Sequence, residues 1–221
     1  MKKYTHVIWD FNGTLYDDVE PCIKSANRLL TAHGLAPLSS VERYRALFGF
    51  PIVDYYRRMG FDFEKTPYSE LAIEWVDYYM EESRNARIYG GALEVLDLFR
   101  TMKVSQVILS ATEKQMLTGQ LLALGVYECF DEVLGQDNIH AFGKQEIGLA
   151  WREKHPDAVP LFIGDTEHDA EVARAMGADC VLLACGHRPR AALECCDVLA
   201  VQDEHTALLH YLRAEFGKSN V

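Results

Sequence analysis

In the run Asp10-Phe11-Asn12-Gly13-Thr14-Leu15 a carboxylate stands where the apolar stretch Thr5-His6-Val7-Ile8-Trp9 breaks into a glycine turn. A carboxylate at such a break can act as a nucleophile or bind a metal. A second acid would be expected two residues on, but position 12 is an asparagine. Farther along, Leu161-Phe162-Ile163-Gly164 ends in Asp165, and Asp169 follows four residues later, so both carboxylates can face one side of a first helical turn. Ser110 ends the apolar run that begins at Val104. If parallel strands carry these residues, the carboxyl ends of the strands collect Asp10, Asn12, Ser110, Asp165 and Asp169 at one edge. Three carboxylates there repel one another unless a cation neutralises them, and all-oxygen ligation points to Mg²⁺. Taken singly, Ser110, Asp165 or Asp169 could simply cap a helix. Capping does not account for all of them together.

Lys144 follows Phe142-Gly143 at the start of a helical segment, where a cation is mildly unfavourable to the helix dipole. Aimed into an acidic site, it would hold a carboxylate and a bound phosphate. Asp17 and Asp18 read as the start of a helix, Arg45 as an exposed helix arginine or a substrate contact, and His168 as a surface histidine on a first helical turn or a group touching solvent near the metal. His187 and Arg188 lie past another strand end, where they could approach a phosphate.

From about Ile88 onward, short apolar runs alternate with helix-period segments, the sign of βαβ units and a parallel sheet covered on both faces. The strands expected are Thr5–Asp10, Val104–Ser110, Phe130–Leu134, Leu161–Gly164, Cys180–Ala184 and Val198–Val201. Between Tyr16 and Arg87 the pattern is helical, with no convincing strand. Val19, Ile23, Ala26 and Leu30 share one face, Ser39 or Ser40 can cap a second helix, Pro51 can open a third, and Pro67 a long fourth.

Among 221 residues, 49% are hydrophobic and the net charge is -11, which suits one compact core plus an appendage and argues against broad affinity for nucleic acid or anionic lipid. The six cysteines form no CxxC pair and read as reduced thiols. No apolar run approaches the ~20 residues of a membrane helix, and a cytoplasmic location is expected.

These motifs carry a resemblance. The chain resembles the haloacid dehalogenase-like hydrolase superfamily, and within it the phosphoglycolate phosphatase and β-phosphoglucomutase branch. The matching motifs are Asp10-Phe11-Asn12-Gly13-Thr14-Leu15, Ile108-Leu109-Ser110-Ala111-Thr112, Lys144 and Gly164-Asp165-Thr166-Glu167-His168-Asp169, in that order. The resemblance implies an α/β fold: a Rossmann-like three-layer core with a parallel sheet (residues 1–15 and 88–221) and an inserted α-helical cap domain (16–87). It also implies a phosphatase acting on a small phosphorylated metabolite. Asp10 would attack phosphorus. Asp10, the Asn12 carbonyl and Asp165 would hold Mg²⁺, with Asp169 nearby through water or Lys144. Ser110 and the Ala111 amide would hold phosphoryl oxygens, and Arg45 would reach the substrate from the cap.

Asn12 departs from the family, whose phosphatases carry there an aspartate that protonates the leaving group. An amide cannot donate that proton, and general acid–base help is typically worth ~10²–10⁴-fold. Alkyl esters should suffer most, and aryl esters, acyl phosphates and anhydrides least. The alternatives are a phosphonatase- or dehalogenase-like hydrolase, the former needing a cap lysine (Lys24 or Lys65), and a catalytically weak protein binding a phosphorylated ligand or a partner. Asn12-Gly13 is also a pair prone to deamidation, which would generate aspartate at this position.

Overall fold

The computed structural model describes residues 4–137 and 143–217; Phe142 lies outside them. The strands are β1 (His6–Trp9), β2 (Tyr16–Asp17), β3 (Arg87–Ile88), β4 (Ser105–Glu113), β5 (Glu132–Gln136), β6 (Pro160–Gly164), β7 (Asp179–Leu183) and β8 (Ala200–Gln202). The helices are α1 (Val19–Ala32), α2 (Val41–Leu47), α3 (Ile52–Met59), α4 (Tyr68–Glu82), α5 (Ala92–Thr101), α6 (Lys114–Ala123), α7 (Gln145–Lys154), α8 (Glu167–Met176), α9 (Arg190–Leu193) and α10 (His205–Gly217).

Six strands form one sheet in the order β5-β4-β1-β6-β7-β8, every neighbouring pair parallel. Alternate residues of each strand serve opposite faces. Val7, Trp9, Ile108, Ile163 and Val181 pack in one cluster with Phe99 of α5 and Leu208 of α10. Ile8, Val107, Leu109, Phe162 and Leu182 pack in the other with Trp151 of α7 and Val172 of α8. A sheet buried on both faces reads as continuous apolar runs, which is why the strands are visible in the sequence. The core is the Rossmann-like three-layer α/β fold.

Helices α1 to α4 are inserted between β1 and β4. Ser40 caps α2 by accepting from Arg43 N at 3.2 Å, and Pro51 and Pro67 immediately precede α3 and α4. The stretch is not purely helical. Tyr16 and Asp17 pair antiparallel with Ile88 and Arg87, so the two chain segments entering and leaving the block form a ribbon. Two-residue strands carry too little periodicity to be seen in sequence.

All six cysteines are free thiols. No helix of the described residues is long and apolar enough to cross a membrane.

Candidate active site

β4, β1 and β6 are adjacent in the sheet, and their carboxyl ends carry Ser110, Asp10 and Asp165. On β4, pairing with β5 is interrupted between Leu109 and Glu113, so Ser110, Ala111 and Thr112 leave the regular ladder. One carboxylate oxygen from each of Asp10, Asp165 and Asp169 lies within 4.8 Å of the others, and all three residues are buried. The turn after β1 needs glycine twice over. Gly13 has φ +72°, and a Cβ there would sit 2.4 Å from His187 Cδ2 and 2.5 Å from Asp165 Oδ2.

Lys144 is only 2% exposed, and its ammonium bridges two of the acids. It pairs with Asp10 Oδ1 and with Asp169 Oδ1 at 2.7 Å, and donates to the Leu109 carbonyl at 3.0 Å. The other Asp169 oxygen accepts from the backbone N–H groups of Asp165 and Thr166 and from the Thr166 hydroxyl, closing a capping box at the start of α8. Helix capping and the acidic cluster are therefore served by different oxygens of one residue. Asp165 accepts from the Thr14 hydroxyl at 3.0 Å and from His187 N at 2.6 Å.

Burial pushes the Asp10 carboxyl up to about 6 even though Lys144 pulls it down, and pushes Asp165 up to about 8. For Asp169, burial also acts upward, but Lys144 and Thr166 outweigh it and hold the group below the usual range. Burial disfavours the Lys144 ammonium, yet Asp10 and Asp169 raise it above the ordinary lysine value. With all three carboxyls ionised, one ammonium would leave two negative charges uncompensated, and the raised Asp10 and Asp165 values express that crowding. That deficit, with hard oxygen donors only, fits a divalent cation of the Mg²⁺ type.

Beside this cluster lies a second buried one that the sequence did not reveal. Asp18 was expected to favour a helix dipole, yet its side chain makes no cap hydrogen bond to α1. It is fully buried and accepts from Gly13 N at 2.9 Å, Tyr79 Oη at 2.7 Å and Asn12 Nδ2 at 2.7 Å, with His187 Nε2 at 3.3 Å. Burial acts upward on Asp18, but His187, Tyr79 and Asn12 hold it below the ordinary carboxylate value. Burial disfavours a charged His187, but Asp18 outweighs this and raises it to about 9. His187 also shares a 2.9 Å hydrogen bond with the Tyr44 hydroxyl. Asn12 is held at every polar atom of its side chain: Nδ2 also donates to Tyr79 Oη at 2.8 Å, and Oδ1 accepts from the Thr112 hydroxyl at 2.7 Å. An acid beside a helix start and a histidine after a strand have many ordinary explanations, so only the return of the chain from β7 to Gly13 reveals the pair.

Above both clusters is a cavity lined by Asp10, Asn12, Ser110, Ala111, Lys144, Asp165 and Asp169, together with Asp18 and His187. Two expectations are corrected. Arg45 is not in its lining: Nη2 donates to the Cys185 carbonyl at 2.6 Å, tying α2 to the loop after β7. His168 is not a plain surface residue but stacks on Phe50 with ring centroids 4.5 Å apart. Arg188 is engaged with Glu167 and with the carbonyls of Arg45 and Phe48. Lys24 and Lys65 are exposed, paired with Glu20 and Asp62, and absent from the lining, so neither is placed to form an imine with a substrate there.

Comparison with known proteins agrees with the geometry. The chain is 26% identical over 189 residues to the phosphoglycolate phosphatase of Rhodobacter capsulatus, covering 82% of this chain and 85% of that one. It is 24% identical over 218 residues to the phosphoglycolate phosphatase of Photobacterium profundum, covering 94% and 95%. A solved haloacid dehalogenase-like family hydrolase from Streptococcus pneumoniae superposes with a TM-score of 0.82 at 18% identity, covering 96% of this chain and all of that one. Residues 7–183 match the haloacid dehalogenase-like hydrolase family, and the chain belongs to that family.

Proposed function

We propose that this hydrolase is a Mg²⁺-dependent phosphatase that cleaves a small phosphate monoester through an aspartyl-phosphate on Asp10. The observation that carries the reading is the Lys144 bridge between Asp10 and Asp169, with Asp165 alongside, at the ends of the two adjacent strands β1 and β6. The relatives named phosphoglycolate phosphatase support the same reaction class. Asp10, Asp165 and the Asn12 carbonyl would hold Mg²⁺, which supplies charge neutralisation for the phosphoryl oxygens. Asp169, whose oxygens are taken by Lys144 and by the α8 cap, acts through Lys144.

In the first step an Asp10 oxygen forms a bond to phosphorus while the bond to the leaving oxygen breaks. Lys144 orients the Asp10 carboxylate and offsets charge, and Ser110 with the Ala111 amide holds phosphoryl oxygens. The leaving oxygen departs as an oxyanion and takes its proton from water, because Asn12 has none to give. In the second step water adds to phosphorus, the bond to Asp10 breaks, phosphate leaves with the water's oxygen, and a proton passes to solvent. Residues 16–87 form a cap over residues 1–15 and 88–221, with the β2–β3 ribbon as its hinge.

Hydrolysis of p-nitrophenyl phosphate with and without Mg²⁺ is the test. Metal-dependent release is expected from the native chain, none from Asp10→Asn, and a loss of roughly 10²–10³-fold in Lys144→Ala. Release that survives in Asp10→Asn would overturn the aspartyl-phosphate, and no Mg²⁺-dependent release would overturn the phosphatase reading.

A further inference from the structure

The cavity over Asp10 is walled on the helical side by rings. Phe48, Phe50, Tyr55, Tyr56, Trp75 and Tyr79 all contribute to its lining. Its volume is about 140 Å³ and its lining includes Asp10 and Ser110, so beside a phosphoryl group it offers room for one ring at most, a benzene ring alone needing a cavity of ~150 Å³. The basic side chains in the lining are Lys144 and His187, and each already faces carboxylates, Lys144 those of Asp10 and Asp169 and His187 that of Asp18. A carboxylate on the substrate's far end would meet ring faces with no uncommitted counter-charge in the lining.

Two donors in this wall lack a partner. The Tyr55 hydroxyl and the Trp75 indole N–H are buried without a hydrogen bond among the described residues, and Tyr55 is 3% exposed. Buried donors left unmade are unfavourable, so the pair suits an acceptor carried in by a ligand.

The chemistry of position 12 points the same way by an independent route. Asn12 cannot protonate a leaving oxygen, and its amide hydrogens are already committed to Asp18 and Tyr79. A leaving group must then be stable as its anion. A phenol ionises near a pKa of ~10, as tyrosine does, whereas water itself requires ~15.7, and an aliphatic alcohol behaves like water.

We propose that the substrate is the phosphate monoester of a single-ring phenol-type hydroxyl, with a hydrogen-bond acceptor on the ring away from the phosphate. The assignment rests on the phosphatase reading above. The ring fills the aromatic wall, Tyr55 and Trp75 donate to its acceptor, and the phenolate leaves without acid assistance.

The test uses the full chain with Mg²⁺ and the probes 4-acetylphenyl phosphate, 4-methylphenyl phosphate, 2-naphthyl phosphate and phosphoglycolate. Phenylphosphonate and phosphonoacetate, which have no ester to cleave, report pocket preference apart from leaving-group reactivity. The expected result is a kcat/KM on 4-acetylphenyl phosphate at least roughly 100-fold above phosphoglycolate, with phenylphosphonate the tighter inhibitor. Tyr55→Phe and, separately, Trp75→Phe should each lower the preference for the acetyl over the methyl ester by roughly three- to tenfold. Phosphoglycolate hydrolysed as well as the aryl esters, or phosphonoacetate binding more tightly, overturns the aryl assignment and leaves the phosphatase reading standing. A naphthyl ester cleaved as fast as the single-ring esters overturns the size limit, and an unmoved acetyl preference in both variants overturns the acceptor. If no ester is hydrolysed, the phosphatase reading fails and this inference with it.

Discussion

The Asp18 carboxylate accepts the side-chain amide of Asn12 at 2.7 Å, so the amide that stands where the resemblance implies an acid is paired with an acid six positions later. An aspartate at the half-buried position 12 would set a second carboxylate against the buried Asp18, and Asn12→Asp alone should therefore be costly. Unpaired buried charge is worth ~3–5 kcal/mol, so the Tm should fall by roughly 6–20 °C for a chain of this size. Asp18→Asn should also destabilise, since it removes the partner of His187. The exchange Asn12→Asp/Asp18→Asn recreates one carboxylate facing one amide and should recover part of the loss, with a coupling of roughly 0.5–3 kcal/mol. Thermal denaturation of the four proteins measures it. Alkyl-phosphate hydrolysis should rise in the exchange variant more than in Asn12→Asp. Additive single effects would show that the two positions are not matched.

How much of this was legible in sequence follows from what each residue does locally. Asp10, Ser110, Lys144, Asp165 and Asp169 sit at strand ends and helix starts, where the apolar runs mark the boundaries, and all five line one cavity. The parallel sheet was visible because both its faces are buried. Strand limits were less so: β5 starts at Glu132, two residues later than the apolar run suggests, since Phe130 packs in the core before the ladder begins. Asp18, Tyr79 and His187 could not be joined, because their association depends on the insert folding back over β1 and on the loop after β7. Arg45 looked free to meet substrate because nothing local shows that Cys185, 140 residues away, offers its carbonyl.

The same locking bears on deamidation of Asn12-Gly13. The reaction needs the Gly13 nitrogen to swing onto the Asn12 side-chain carbon. In the folded chain that nitrogen donates to Asp18 at 2.9 Å and to the Tyr16 carbonyl at 3.0 Å, and the side chain is fixed by Asp18, Tyr79 and Thr112. Folded protein stored at neutral pH should keep Asn12 intact, while denatured protein should convert it to aspartate and isoaspartate. Peptide mapping of the two samples over the same interval decides between local control and control by the fold; equal conversion in both would contradict it.

Proton linkage at the acidic cluster sets a pH dependence of the metal-free protein. Asp165, raised to about 8 by burial, keeps its proton in the folded state at a pH where the unfolded chain has lost it. His187, raised to about 9 as Asp18 outweighs its burial, does the same above its ordinary 6.5. The folded state thus binds more protons than the unfolded one, and stability falls as pH rises from about 4 to about 9, Asp10 contributing up to about 6, Asp165 up to about 8 and His187 above about 6.5. Asp18 and Asp169, both lowered, are ionised in both states above about pH 6 and add no slope there. Mg²⁺ held by the Asp10 and Asp165 carboxylates, as proposed above, would compete with protons there, so it should bind more tightly at higher pH, release protons, and flatten the Asp165 part of the slope. Calorimetry in two buffers of different ionisation enthalpy counts the protons. A metal-free Tm that is constant from pH 6 to 9 would refute the linkage.

Arg188 and Arg45 form a reciprocal clasp between the inserted helices and the sheet. Arg188, in the loop after β7, donates Nη1 to the carbonyls of Arg45 at 2.7 Å and Phe48 at 2.5 Å, while Arg45 donates back to the Cys185 carbonyl at 2.6 Å. Glu167 at the start of α8 accepts three further bonds from Arg188, Nε at 2.7 and 3.0 Å and Nη2 at 2.6 Å, so the guanidinium joins three segments. Neither arginine lines the cavity, so the clasp holds the aromatic wall over Asp10 without touching what lies inside. Arg188→Ala should loosen that wall, raising KM by roughly 10-fold with a smaller change in kcat, as expected when positioning rather than chemistry is lost. Arg188→Lys keeps the charge but loses the planar fork, and should restore little. Equal falls in kcat and kcat/KM with unchanged KM would instead place Arg188 in the chemical step, and steady-state kinetics of the two variants on one aryl ester separates these outcomes.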